Sequence, residues 1–170
     1  MLNRVLWGVL ASGTGLFAAA FYMEYVMGLV PCALCLAQRI ALGLTLVAVL
    51  FVLVTPRWGR ALGALLMACF AAGGAALAAR QVWLQSLPPD QVPDCGPDIY
   101  FMLDRFPLTE SIRAMLLGTG NCAEVQWTFL TLSIPQWTLL WFLAYAVVGL
   151  TVLIATLRQP TDPVPGALTP

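Results

Sequence analysis

Residues 31–54 read PCALCLAQRIALGLTLVAVLFVLV, and this stretch decides what kind of molecule the chain is. From Leu36 to Val54 the only charged residue is Arg39, and an apolar run of about 20 residues is what a helix needs to cross a hydrocarbon core about 30 Å thick. Were the helix to begin at Ile40, only about fifteen residues, about 22 Å, would remain, which is too short. Arg39 therefore belongs to the first turn or two of the spanning helix. An ionisable group inside a span is costly and points to a functional site; its bland alternative is an interfacial Arg snorkelling to the head groups. Just ahead stands a C-x-x-C, Cys32-Ala33-Leu34-Cys35, preceded by Pro31, which suits the first turn of a helix. Both thiols then lie at the N-terminal end of this span, where unpaired N–H groups and the helix dipole favour a thiolate. Arg39 follows Cys35 by four positions and Cys32 by seven, so all three share a helical face.

Three further apolar stretches flank this one, giving spans at about residues 5–23, 36–54, 61–79 and 137–157. Gly13, Gly15, Ala18 to Ala20, Gly63 and the run Ala71 to Ala79 supply the small residues that let spanning helices approach closely. Composition agrees: of 170 residues 61% are hydrophobic and 9% charged, against roughly 45–50% and about 25% in soluble domains. Arg4 and Ala18-Ala19-Ala20 also resemble a signal peptide, but the apolar run exceeds the usual h-region of roughly 7–15 residues. Net charge is zero and the Arg residues are scattered, so nothing marks a nucleic-acid binder. There is no His, which removes imidazole acid–base chemistry and His-ligated metals and haem.

Arg bias in short loops orients the bundle. The turn Thr55-Pro56-Arg57-Trp58-Gly59-Arg60, Arg4 and Arg158 should be cytoplasmic, with both termini. The segments of about 24–35 and 80–136 are then periplasmic. In the longer one Pro88, Pro89, Pro93, Pro97 and Pro107 predict extended pieces, and Thr109–Leu117 reads as a short helix stopped by Gly118 and Gly120. Its Ile112, Met115 and Leu116 form one face and Glu110 and Arg113 another, so it either lies flat on the membrane or packs on the bundle. The Pro-rich 159–170 reads as a disordered cytoplasmic tail, leaving 1–158 as a single four-helix domain.

Four of the five cysteines fall in or beside the periplasmic segments: Cys32 and Cys35 in the first, Cys95 and Cys122 in the second. In an oxidising compartment Cys95 and Cys122 normally pair, either as a staple for the loop or as a disulfide able to exchange with the C-x-x-C. Cys69 is mid-span and reads as a buried small apolar residue.

Pro31-Cys32-Ala33-Leu34-Cys35 with Gln38-Arg39, Gly120-Asn121-Cys122-Ala123-Glu124 with Gln126-Trp127, and Ile134-Pro135-Gln136-Trp137 together resemble the DsbB family of bacterial inner-membrane thiol oxidases. The resemblance covers roughly 1–158 and implies an all-α membrane protein, a four-transmembrane-helix bundle with a long periplasmic loop carrying a short interfacial helix. It implies a quinone-dependent thiol:disulfide oxidoreductase that reoxidises a periplasmic DsbA-like thioredoxin-fold donor and passes electrons to ubiquinone or menaquinone in the membrane pool. By resemblance, Cys95 takes up the mixed disulfide with the donor, Cys122 relays to Cys32, and Cys35 faces the quinone with Arg39 beside it. Some members place a His near the quinone at the end of the third helix, where this chain reads Arg80-Gln81-Val82. The competing readings are a four-cysteine metal site built from Cys32, Cys35, Cys95 and Cys122, a structural membrane protein with stapled loops, and a quinone reductase of the vitamin-K-epoxide-reductase kind. The C-x-x-C after the first helix favours the DsbB order.

Overall fold

The computed structural model describes residues 2–97 and 99–158. In chain order the elements are α1 (Leu2–Tyr25), α2 (Ala33–Val54), α3 (Arg57–Gln85), α4 (Ile99–Arg105), α5 (Leu108–Leu117), a hairpin of β1 (Thr128–Phe129) and β2 (Leu132–Ser133), and α6 (Ile134–Arg158). Four of these, α1, α2, α3 and α6, are long and apolar enough to cross a membrane. The molecule is therefore an all-α membrane bundle with one elaborated connection. The tail expected over 159–170 lies outside the described residues.

Local sequence explains where the helices begin and end, and each runs past its apolar span. Cys32 is the N-cap of α2, extended at φ −74° and ψ 170°, and its sulfur accepts from the Cys35 backbone N–H. Pro31 thus stands before the cap rather than in the first turn. At the other end Thr55 is extended (φ −102°, ψ 152°), the conformation a following proline imposes. Pro56 caps α3 without a side-chain bond, so Arg57 to Arg60 form the first turn of that helix rather than a loop. Before α6, the Gln136 side chain accepts from the Ser133 backbone N–H at 2.7 Å, the returning half of a capping box. The Ser133 hydroxyl instead donates to Gln85 of α3 at 2.8 Å, tying the two helices together.

The longest helix positions the site. α3 has 29 residues, about 43 Å at about 1.5 Å each, while the hydrocarbon core is about 30 Å. The excess projects at the cysteine end, beyond the expected stop at Ala79, and carries Gln81, Leu84 and Gln85. Arg80 secures it: Nε donates to the Leu117 carbonyl at 3.2 Å, and the guanidinium lies 4.2 Å from the Trp83 ring centroid. Further down, α3 is the central helix, packed on α2 and α6 through buried Gly63, Ala64, Ala71, Gly74, Ala75 and Ala78. At Gly149 of α6 a Cβ would stand 2.9 Å from the Ala68 backbone nitrogen. Only a glycine permits that backbone approach.

A second, smaller core closes the cysteine end. It joins Ala33 and Leu34 of α2, Leu84 of α3, Ile99 and Met102 of α4, and Cys122, with Ala114 and Met115 of α5 against them. Residues 93–97 carry no helix or strand, as the prolines predict, and the expected short helix forms as α5, capped by Pro107; the unexpected element is α4, which sits between Pro97 and Pro107. The expected face of α5 is also divided. Ser111 is buried, donating to the Met102 carbonyl at 3.2 Å, and Met115 packs inward, whereas Leu108, Ile112 and Leu116 share an exposed apolar face. The helix packs on the bundle with one side and offers a second apolar side outward.

Candidate functional site

No two of the five cysteines are bonded to each other in this structure. At the N-terminus of α2, Cys32 Sγ lies 2.9 Å from Cys35 Sγ and also hydrogen-bonds Cys122. Cys122 reaches it from the 3₁₀ turn Gly120–Cys122 and is fully buried. Cys32 is therefore the middle sulfur, flanked by one thiol on its own helix and one from the long connection. The Leu34 backbone N–H, one of the free amides opening α2, points at the Cys122 sulfur. A helix start is a natural seat for negative sulfur. Cys122 is held well below the usual thiol range, at about 6, chiefly because Cys32 donates to it; burial opposes this, and the Leu34 and Thr119 amides assist. Cys32 is pushed far up, because its single proton is held among the Cys122 and Cys35 sulfurs, Cys122 first, with burial adding to this.

Cys95 is exposed. Its segment lies along the Cys122 turn: the Gly120 N–H donates to the Asp94 carbonyl at 3.1 Å, and Asn121 Nδ2 donates to the Gly96 carbonyl at 3.0 Å. A Cβ at Gly120 would stand 3.0 Å from the Cys95 backbone nitrogen, so this crossing requires glycine. The structure thus brings Cys32, Cys35 and Cys122 together, with Cys95 outside on the adjoining strand of chain. Cys69 is exposed on the outer surface of α3, not buried as its apolar neighbours imply, because Met67 and Ala71 take the inward positions. No group of three or more Cys, Asp or Glu is arranged to hold a metal ion among the described residues.

Two glutamines complete the thiol cluster. Gln81 Nε2 lies 3.3 Å from Cys35 Sγ and 3.4 Å from Cys32 Sγ, and its Oε1 accepts from Gln38 Nε2 at 2.7 Å. Gln38 Oε1 accepts in turn from the Thr138 hydroxyl at 2.7 Å. The signal for these residues is a polar side chain inside an apolar span: Gln38 one turn after Cys35, and Gln81 where the third span was expected to have ended.

Arg39 is turned toward α1. Its guanidinium pairs with Glu24, donates to the Ala20 carbonyl at 3.0 Å and lies 5.3 Å from the Phe21 ring centroid. Glu24 also accepts from the Tyr100 hydroxyl of α4 at 2.7 Å, linking the long connection to the same group. Arg39, Cys35 and Gln38 share the wall of a cavity of about 290 Å³ whose other surfaces include Leu42, Trp137 and Trp141. Trp127 and Phe129, stacked with centroids 5.9 Å apart, also line it. The hairpin presenting them turns through Leu130 (φ 50°) and Thr131 (φ 69°), a left-handed pair that non-glycine residues adopt only under constraint.

The sequence model of the family described as Disulfide bond formation protein DsbB matches residues 3–152. Disulfide bond formation protein B of Hahella chejuensis is 54% identical over 148 residues, covering 86% of this chain and 88% of that protein. The protein of the same description from Marinobacter nauticus is 49% identical over 157 residues, covering 91% and 94%. That from Stutzerimonas stutzeri is 48% identical over 141 residues, covering 82% and 86%.

Proposed function

The chain belongs to the DsbB family of disulfide-forming membrane oxidoreductases, and from that premise we propose that it oxidises a periplasmic DsbA-like dithiol protein and delivers the electrons to a membrane quinone. The observation that carries the reading is the position of Cys32 between Cys35 and Cys122, beside an apolar cavity that Cys35 lines. A sulfur so placed can bond to either neighbour.

The exchange balances without an outside proton donor. A donor thiolate attacks Cys95 of a Cys95–Cys122 disulfide; the donor–Cys95 bond forms and Cys122 leaves as thiolate. Cys122 attacks Cys32 of the Cys32–Cys35 disulfide, so Cys122–Cys32 forms and the electron pair of the broken bond leaves on Cys35. The donor's second thiolate then resolves its bond to Cys95, and Cys95 displaces Cys32 from Cys122, leaving Cys32 and Cys35 reduced. A bound quinone supplies a two-electron, two-proton acceptor for that dithiol. The cavity suits a planar apolar ring: Leu42, Trp137 and Trp141 offer apolar walls, and Gln38 and Arg39 offer donors for ring oxygens.

The test is a trapped complex between a donor lacking its second Cys and this chain, joined at Cys95. Peptide mapping should find Cys122 linked to Cys32; finding Cys122 always free would remove the relay. Cys69→Ala should retain full turnover, while Ser at Cys32, Cys35, Cys95 or Cys122 should abolish it.

A further inference from the structure

We propose that Gln81 is a catalytic hydrogen-bond donor to the Cys35 thiolate as it leaves, with Gln38 and Thr138 as positioning residues that aim its amide. The inference rests on the exchange step above and adds the group that receives its developing charge. When Cys122 attacks Cys32, the Cys32–Cys35 bond breaks and its electron pair stays on Cys35 Sγ. Gln81 Nε2 is 3.3 Å from that atom.

An amide side chain can face either way, and here its direction is set from a distance. The Thr138 hydroxyl of α6 donates to Gln38 Oε1 at 2.7 Å, a shorter contact than its 3.1 Å to the Pro135 carbonyl. Gln38 must then turn its NH₂ toward α3, where it donates to Gln81 Oε1 at 2.7 Å. That leaves the Gln81 NH₂ as the group nearer the sulfurs, 3.3 Å from Cys35 Sγ against 3.7 Å for its Oε1. Flipping Gln81 would set NH₂ against NH₂ and put its carbonyl oxygen on the leaving thiolate. Gln38 and Gln81 are 6% and 3% exposed, so water does not offer a substitute partner. Arg39, the cation on the same cavity wall, is engaged by Glu24 and Ala20. A neutral donor stabilises the thiolate without burying a second charge beside it.

The experiment uses the full chain, free of quinone, carrying Cys69→Ala, Cys95→Ser and Cys122→Ser so that only Cys32 and Cys35 titrate. The protein is poised in dithiothreitol redox buffers, and free thiols are counted by gel shift after alkylation. A donor to the thiolate stabilises the reduced form. Gln81→Leu should therefore make the pair about tenfold harder to reduce, a potential lower by about 30 mV. Thr138→Val, which touches neither sulfur, should move it the same way by about threefold, and Thr138→Ser should restore the parent value. Gln81→Leu and Thr138→Val both staying within about twofold of the parent would overturn the proposal. If Gln81→Leu does not fold, Thr138→Val and Gln38→Leu decide by the same criterion. Failure of the unmodified protein to oxidise a dithiol donor with quinone would strike the proposed function instead, independently of this equilibrium.

Discussion

Arg39 stands on the cavity wall with a carboxylate from α1 beside it. Its place within the span follows from length, and its face, shared with Cys35, from their spacing of four. Its partner does not, because Glu24 lies on another helix and nothing local distinguishes it from a head-group carboxylate. The pair has side chains 15% and 11% exposed, and at an effective dielectric of about 20 unit charges about 4 Å apart attract by about 4 kcal/mol. Glu24 therefore fixes where the guanidinium stands on the cavity wall. Arg39→Gln should impair quinone use about tenfold or more while leaving single-turnover exchange with the donor intact. Arg39→Lys, which keeps charge but not the planar fork, should fall between. Glu24→Gln should resemble Arg39→Lys, since the charge remains but loses its anchor. Steady-state kinetics with varied quinone read all three; an unchanged quinone Michaelis constant and turnover in Arg39→Gln, or equal harm to donor exchange, would leave Arg39 a structural partner of Glu24 with no role in quinone use. Cys32 and Cys35 were legible because a C-x-x-C after Pro31 declares a helix start. Gln81 was half hidden: its polarity beside an apolar span is visible, but hydropathy ends the third span before it and its contact with the sulfurs is made across helices.

At the scale of elements, apolar length located the four long helices but not their ends. A helix continues past the hydrocarbon wherever side chains satisfy it, and α3 does so by handing Arg80 to the Leu117 carbonyl. In the long connection the short helix expected over Thr109–Leu117 forms one residue longer, as α5, while α4 was not foreseen. Proline stops a helix but also starts one, and Pro107 caps α5. The small residues of α3 foretold close packing without naming the contacts. Gly149 is the sharpest: a Cβ there meets the Ala68 nitrogen at 2.9 Å, its Cα at 3.1 Å and the Ala64 carbonyl oxygen at 3.2 Å. Those atoms are backbone in the middle of a helix and cannot rotate away. Gly149→Val should destabilise the bundle by about 1–3 kcal/mol, seen as a lower thermal midpoint in detergent. Gly73→Ala, where nothing lies within 4 Å, should leave the midpoint unchanged. Equal midpoints for the two would show that α3 and α6 do not approach as described.

Across the whole molecule, charge and chemistry separate to opposite ends. Arg60 donates to Asn3 Oδ1 at 3.2 Å, so the starts of α1 and α3 lie together, and Arg4, Arg57 and Arg158 fall at that same end. The thiols lie at the other, where Arg80, Arg105 and Arg113 are outnumbered by Asp90, Asp94, Asp104, Glu110 and Glu124. Because Arg in short loops is retained in the cytoplasm, the proposed orientation puts both termini inside and Cys95 outside, where disulfides persist. That direction also makes the proposed electron path coherent: it would enter at exposed Cys95, pass Cys122 and Cys32, and end at Cys35 on a cavity wall of apolar residues. Reversed, the same sulfurs would face the reducing compartment and be held as thiols. Trp58 is 77% exposed at the Arg-rich end, so Trp58→Cys, made in a chain whose native cysteines other than Cys95 are replaced, gives one reporter per side. In spheroplasts treated with a membrane-impermeant maleimide, Cys95 should label at once and the cysteine at 58 only after the membrane is permeabilised. Labelling at 58 in intact spheroplasts, with Cys95 protected, would invert the bundle and with it the direction of the proposed reaction.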